Sequence, residues 1–433
     1  MVKKDEKELL KGGGWGGNMM VICMVALAQG VLGLAELSMS YLYKDDFGMS
    51  PAQVSVATSI TSLPWIMKPL WGFISDCFPI AGRRRAPYLA AFGMLGVTGW
   101  SCMSTMVNSP IAAILTMLII QICNSFCNVI GEALVVEEAK RKGASQEEAS
   151  KNVSMFFGVR SIGMIVTAYT GGLLLEVLSK RTVFLITACF PLLLCSASLI
   201  LEEMPIDEEP KVREQISEIW KFIRQPAISL PITFIFLFMV TPSTGDAMFY
   251  FYTNELGFRP EFMGRLRMIW GVATLLGIII YNKCLKEVSF KKILVVSSFI
   301  CSFMGLFQIL LVTRANVYLG IPDTVFSLCS GFLVQAIGEI NTMPLLVMCC
   351  KLCPQKIEGT LYALLMSTMN FGGMIAYQLG GLLMIALGID QHNFGLLWLL
   401  VLLVNLFTLL PLPLLYFVPE LSKAQEKAGY DNI

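Results

Sequence analysis

Residues Thr61–Tyr88 read TSLPWIMKPLWGFISDCFPIAGRRRAPY. The stretch begins inside one apolar run, crosses a short basic loop and enters the next. Lys68 lies between Trp65 and Trp71, flanked by Pro64 and Pro69, in the middle of the first run. A charge at bilayer depth costs about 2.5–3.5 kcal/mol on insertion scales, so Lys68 is expected to face a cavity or a partner rather than lipid. Gly72 and Asp76 close that run, and Arg83, Arg84 and Arg85 follow in the loop. An acid at a helix end, a glycine-bearing turn and an arginine cluster make an electrostatic latch between successive helices.

The rest of the composition agrees with a membrane setting. Of 433 residues, 55% are hydrophobic and only 15% charged, and the mean hydropathy of +0.68 is too apolar for a soluble protein. A span needs about 20 mainly apolar residues, and this chain has many such runs. A net charge of +1, with basic residues scattered through loops, argues against a nucleic-acid partner. Many of the 13 cysteines (Cys23, Cys102, Cys123, Cys127, Cys189 and Cys195 among them) sit inside apolar runs, the usage of a small apolar residue rather than a disulfide framework. Cys349, Cys350 and Cys353 cluster at one helix end. With His392 the single histidine, packing is their expected role, and neither a metal nor a cofactor is expected.

Along the chain, residues 1–17 are polar and then glycine-rich, and match neither a signal peptide nor a transit peptide; they are expected as a cytosolic tail. Twelve spans follow, at roughly 18–43, 50–76, 87–106, 109–137, 150–177, 182–201, 229–254, 260–283, 290–312, 322–350, 357–386 and 393–418. They divide into an N-terminal six-helix half (18–201) and a C-terminal half (229–418). A charged linker (202–228) joins them, its Trp220 and Phe222 expected at the membrane interface, and residues 419–433 form a cytosolic tail. Loop cations set the orientation. The side carrying Arg83–Arg85, Lys140–Lys142, Lys291 and Lys292 outnumbers the side carrying Lys44, Lys180, Arg181, Arg259 and Arg314, so both termini are expected in the cytosol. GMIVTAYTGGLLL (Gly163–Leu175) and GMIAYQLGGLLM (Gly373–Met384) match with a one-residue gap in the fifth and eleventh spans. The expected fold is therefore an all-α integral membrane protein with two pseudo-symmetric halves, the arrangement of major facilitator transporters.

Ionisable and polar groups at mid-span are few enough to weigh singly. Glu36 lies in the first span and Lys68 in the second. Gln121, Asn124, Asn128 and Glu132 recur at helical spacing in the fourth, forming one polar stripe that must point inward. Arg160 is mid-span in the fifth. Asp246 follows Pro242, Thr244 and Gly245 in the seventh, Arg265 and Arg267 open the eighth, and Gln335 and Glu339 share a face of the tenth. Such groups serve either as fixed ion pairs between helices or as substrate and coupling sites. Asp76 with Arg83, Arg84 and Arg85 fits the structural role. Glu132 and Arg160, deep and on neighbouring elements, fit a substrate or coupling role. Glu36, Lys68, Asp246 and Glu339 fit either, as do Arg265 and Arg267, which can also snorkel to the interface.

Several stretches together resemble the folate–biopterin transporter family, a branch of the major facilitator fold. They are PWIMKPLWGFISDCFPIAGRRRAPY (Pro64–Tyr88), GEALVVEEA (Gly131–Ala139), the Arg160 span, ELGFRPEFMGRLR (Glu255–Arg267), MPLLV (Met343–Val347) and CPQKIEGTLYALLMSTMN (Cys353–Asn370). The family's fourth-span pattern commonly reads D-x-x-x-D; Asn128 and Glu132 stand at those places here. The resemblance implies carriage of folates, biopterin or related compounds, with some members taking S-adenosylmethionine. On that basis Arg160 and Lys68 are expected to pair with glutamyl carboxylates and Glu132 to read a pterin edge. Trp65, Trp270 or Phe156 would stack on the ring. The implied mechanism is alternating access rather than enzymatic turnover. No phosphate-binding G-x-x-x-x-G-K-[ST] is present, so a proton gradient is the expected energy source, with Glu132 as first carrier and Asp246 or Glu339 next. A monomer in the plasma membrane is expected. Two other readings stay open: within the same class, transport of another organic anion or adenosyl compound, and in a different class, a non-transporting receptor or sensor on the same scaffold.

Overall fold

The computed structural model describes residues 17–141, 146–203, 224–285, 288–351 and 358–418. Trp220, Phe222 and Cys353 lie outside these residues, and the side chains of Cys349 and Cys350 lie outside the described ones. The chain is helical almost throughout. Its first half runs α1 (Gly17–Val31), α2 (Gly33–Tyr41), α3 (Pro51–Ile66), α4 (Lys68–Cys77), α5 (Ala86–Thr105), α6 (Pro110–Arg141), α7 (Gln146–Val177), α8 (Lys180–Ala188) and α9 (Leu192–Ile200). The second runs α10 (Pro226–Met239), α11 (Gly245–Tyr250), α12 (Pro260–Ile280), α13 (Phe290–Val312), α14 (Ala315–Tyr318), α15 (Asp323–Lys351), α16 (Glu358–Ala386) and α17 (Leu397–Phe407). Among the described residues, nine helical rods are long and apolar enough to cross a membrane; α10 is apolar but shorter. Large apolar side chains such as Met94, Ile111, Ile162 and Leu199 point outward, as a lipid-facing surface requires.

The helix breaks follow from particular residues. Pro69 has no N–H for the Trp65 carbonyl one turn back, and α3 gives way to α4 at Met67. The freed groups find other donors: Asn370 Nδ2 of α16 reaches Trp65 O at 3.1 Å, and Trp71 Nε1 reaches Pro64 O at 2.8 Å. In lipid such replacement is obligatory. Ser50 and Gln53 form a reciprocal capping box at the start of α3.

Two corners have the same construction. A π turn, Leu42–Asp46, follows α2 and another, Phe251–Glu255, follows α11. Each is followed by a glycine at positive φ, Gly48 at 59° and Gly257 at 65°, and then by a proline opening the next helix. Their backbone bonds correspond one for one: Phe47 N to Leu42 O and Leu256 N to Phe251 O, then Met49 N to Tyr43 O and Phe258 N to Tyr252 O. The sequences align without a gap, YLYKDDFGMSP at 41–51 and YFYTNELGFRP at 250–260.

Small residues bring the rods together. A Cβ on Gly172 of α7 would come within 2.5 Å of the Pro260 carbonyl oxygen and 2.7 Å of Gly264 Cα on α12. One on Gly30 of α1 would come within 2.5 Å of the Arg160 carbonyl. Backbone approach of this kind is how membrane helices gain contact without a hydrophobic drive. The α7–α12 and α3–α16 contacts join the α1–α9 set of rods to the α10–α17 set.

The buried core is asymmetric from end to end. At the end bearing Lys44, a single cluster takes residues from both sets of rods, including Leu37, Trp100, Phe184, Phe251, Leu266 and Leu397. At the opposite end, bearing Arg85, the clusters separate. One, around Phe126, Phe156 and Leu194, belongs to the first set; the other, around Phe234, Leu345 and Leu415, belongs to the second.

Arg85 anchors the loop after α4. Arg85, 6% exposed, places Nη2 2.6 Å from Asp76 Oδ1 and 2.8 Å from Glu137 Oε1, and donates through Nη1 to Ser75 Oγ. Glu203 accepts the backbone N–H groups of Arg84 and Ala86, both at 2.6 Å, and of Arg85 at 3.2 Å, so a carboxylate caps the positive end of α5. Arg83 is exposed, and its backbone closes the turn with Ile80. Arg85→Ala is therefore expected to lower stability by about 1–3 kcal/mol, because Asp76 and Glu137 lose their shared cation and Ser75 keeps only its bond to the Gly72 carbonyl, whereas Arg83→Ala stays within about 0.5 kcal/mol. Melting temperatures of the purified variants in detergent check both.

Candidate functional site

A cavity of about 610 Å³ lies between the two sets of rods. Its polar lining includes Gln29, Glu36, Gln121, Asn124 and Arg160 from the first set and Asp246, Arg267, Gln335 and Tyr377 from the second, with Trp65, Phe249, Tyr252 and Trp270 as rings. These side chains reach one space for simple helical reasons. Gln121 and Asn124 are one turn apart on α6, and Arg267 and Trp270 are one turn apart on α12.

Much of the lining is held in place. Gln121 Oε1 accepts from Trp65 Nε1 at 3.2 Å and from Asn124 Nδ2 at 3.3 Å. Gln29 Nε2 donates to the Asn124 carbonyl at 3.1 Å, and Gln335 Nε2 donates to Thr274 Oγ1 at 3.0 Å. Gly331 on α15 makes room for the Trp270 indole, since a Cβ there would lie 2.5 Å from Nε1.

The charges fall into two groups. Toward the Arg85 end, Lys68 is 7% exposed. Its Nζ lies 3.0 Å from Glu132 Oε1 and 3.3 Å from Oε2, and sits 5.6 Å from the Trp65 ring centre. Arg160 lines the cavity nearby within Coulomb reach of Glu132, yet among the described residues it makes no hydrogen bond or ion pair. Toward the Lys44 end, Glu36 of α2 meets Arg267 of α12 at 3.2 Å, and Asp246 of α11 accepts from Ser55 Oγ of α3 at 2.5 Å. Both contacts cross between the two sets of rods.

Further contacts seal that end. Lys44 Nζ donates to Asn254 Oδ1 at 2.8 Å, Asn254 Nδ2 donates to the Gln391 carbonyl at 2.8 Å, and Tyr250 donates its hydroxyl to the Met49 carbonyl. Tyr41 packs edge-on against Phe249, and Arg259 pairs with Glu176 at 3.0 Å. Polar bonds between the two sets run from this end to Ser59–Gln378 and to the bond from Asn370 to the Trp65 carbonyl. Beyond it α4 still lies beside α16, but the cores have parted.

The sequence candidates are thus brought together unequally. Glu36, Trp65, Gln121, Asn124, Arg160, Asp246 and Gln335 line the cavity. Lys68 and Glu132 form their pair just off it. Asn128 shares the α6 stripe but is fully buried, and neither amide atom has a partner. Glu339 is off the lining, packed where a Cβ on Gly277 would lie 2.8 Å from its own Cβ. Arg265 turns away to pair with Glu261 on its own helix at 2.5 Å. Phe156, expected as a stacking ring, is 1% exposed in the first set's core, because its ring fills the space beside Gly131. Gln29 and Tyr377 are lining residues that sequence reasoning did not single out. The signal for Gln29 was present, a lone amide inside the apolar run MVALAQGVLG.

With this geometry in view, known proteins place the chain. Residues 29–432 match the model of the BT1 family. The chain is 41% identical over 416 residues to the folate-biopterin transporter of Synechocystis sp., covering 95% of this chain and 84% of that one. It is 34% identical over 407 residues to folate transporter 2 of Plasmodium falciparum, covering 94% and 89%. Among solved structures, the nucleoside transporter NupG superposes with a TM-score of 0.72 at 14% identity, over 92% of this chain and 98% of that one. A D-xylose–proton symporter superposes at 0.71 and 15% identity, over 94% and 98%. At such identities these structures speak for the fold alone, the major facilitator fold expected from the sequence. The family match spans nearly the whole chain, and these relatives align over more than nine-tenths of it: the chain belongs to the BT1 family.

Proposed function

We propose that the chain carries folate and related pterin compounds across a membrane by alternating access, driven by a proton gradient. The observation that carries this reading is the cavity itself. It lies between the two sets of rods, is closed at the Lys44 end by bonds that cross between them, and is lined by Arg160, which makes no ion pair among the described residues. The names of the relatives supply the substrate class. A midplane site between two rocking halves is the working arrangement of such carriers. The halves are taken as residues 18–201 and 229–418, six spans each.

The Arg85 end is assigned to the cytosol, because it carries Arg83–Arg85, Arg224, Lys283, Lys291 and Lys292. Both termini then lie inside, in a plasma-membrane monomer, and the arrangement described is open inward. Asp76 and Arg85 act as the latch that keeps two neighbouring spans moving together. Glu132 is the proton carrier, its charge balanced by Lys68 and lying within reach of Arg160.

Uptake of labelled folate and biopterin into proteoliposomes, with and without an inward proton gradient, tests the reading. Gradient-driven accumulation supports it; absence of uptake of either compound, in vesicles with verified insertion, overturns it. Glu132→Gln is expected to abolish accumulation while folate-for-folate exchange persists, and unchanged accumulation would take the proton from Glu132. Lys68→Met removes the cation that balances Glu132 and is expected to lower initial uptake about tenfold or more.

A further inference from the structure

The charges of the cavity do not balance locally. At the sealed end two acids, Glu36 and Asp246, face one cation, Arg267, which contacts Glu36 and acts on Asp246 at longer range. At the other end two cations, Lys68 and Arg160, face one acid, Glu132, which Lys68 holds in contact. One acceptor-only carboxylate at one end and one guanidinium at the other are left for a ligand.

The separation of the two ends can be read from the helix packing. α7 and α12 run antiparallel, since Gly172 meets Gly264 and Ile165 meets Gly271. Arg267 is therefore level with about residue 169 of α7, and Arg160 lies some nine residues deeper, on the order of 13 Å along the helix at 1.5 Å per residue. Trp270, one turn from Arg267, falls between the two levels, and Trp65 lines the cavity from the facing helix.

Resting on the reading above, we infer that the site binds its substrate in one polarity, with a donor-edged heterocycle against Asp246 and an anionic tail on Arg160. The chemistry matches at each end. A pterin in its 4-oxo form presents the N3–H and a 2-amino N–H side by side, two donors suited to the two oxygens of one carboxylate. A glutamyl carboxylate suits the planar fork of Arg160. The ring system between them meets tryptophan faces. This assigns the edge-reading role to Asp246, which lines the cavity, rather than to Glu132, which lies off the lining and pairs with Lys68. It also ties recognition to the seal, because Asp246 holds Ser55 of the opposite set at 2.5 Å. A heterocycle seated there touches a group that parts when this end opens.

Competition binding to the purified full chain tests the polarity, with labelled folate as tracer and two fragments as competitors. Biopterin has the heterocycle without the glutamyl tail; p-aminobenzoylglutamate has the tail without the heterocycle. Asp246→Asn is expected to weaken biopterin about tenfold or more, the loss of a charge-assisted bond pair, and to leave p-aminobenzoylglutamate within about twofold. Arg160→Gln is expected to do the reverse. In each variant the retained fragment shows that the protein is folded. Equal losses of both fragments in each variant, or the opposite pattern, overturn the inference. Where a variant's melting temperature falls, Asp246→Glu and Arg160→Lys, which keep the charges, replace it and must weaken only the fragment assigned to that end; losses shared by both fragments overturn the inference there too. Failure of the wild-type chain to bind folate or either fragment overturns the transport reading itself, and this inference with it.

Discussion

A charge inside hydrocarbon must find a partner or water, and the whole arrangement depends on how this chain meets that demand. Arg85 does so within one set of rods, gathering Asp76, Glu137 and Ser75 into a fixed knot. Lys68 does so with Glu132, again within one set. Glu36 and Arg267 do so across the divide, as Ser55 does with Asp246 through a hydrogen bond. The distinction sorts fixed contacts from switchable ones. Pairs within a set can persist while the sets move, whereas pairs across the divide are made at one end and must break for that end to open. Arg160, lining the cavity without such a partner among the described residues, is the exception that a ligand can resolve.

Packing supplies the other half of the mechanism. The two sets meet along α7–α12 and α3–α16, where Gly172 and Gly264 bring backbones together with no side chain between them. Smooth backbone-to-backbone seams let rods tilt against one another at small cost, since few interlocked side chains need to repack. The cores show the present tilt. One cluster bridges the sets at the Lys44 end, and two separate clusters stand apart at the Arg85 end. The matched corners at 41–51 and 250–260 lie on opposite sides of the seal, and Lys44 of one bonds Asn254 of the other. A repeated element thus serves as both halves of a clasp.

The fold was largely legible in the sequence because hydropathy along a helix is a local property. The run edges, the basic loop at Arg83–Arg85 and the glycine-rich repeat at 163–175 and 373–384 all reflect the cost of exposing backbone or charge to lipid. Yet a second repeat, at 41–51 and 250–260, is plain only once the two π turns and their positive-φ glycines are seen to coincide. The cavity was legible in part. A polar stripe on α6 predicts an inward face, but Gln121 and Asn124 reach the cavity while Asn128 faces a packed interior and Glu132 is claimed by Lys68. Helical spacing fixes a face to within a wide arc, and only the neighbouring helices decide which part of that arc is open. For the same reason the arginine cluster pointed to a latch without indicating that Arg85 carries the ion pairs to Asp76 and Glu137, and the Arg265–Arg267 pair hid the fact that one residue faces the cavity and the other its own helix.

The central claim is that one end closes as the other opens. Four exposed positions report it: Met106 and Tyr318 at the Lys44 end, Leu199 and Lys283 at the Arg85 end, with each pair split between the two sets of rods. Spin labels placed there through a noncanonical amino acid give two distance distributions by pulsed electron resonance, in lipid, with and without folate. The account predicts reciprocal change, with the Met106–Tyr318 distance growing in the population whose Leu199–Lys283 distance shrinks. Two distributions that stay fixed, or that widen together, would contradict it.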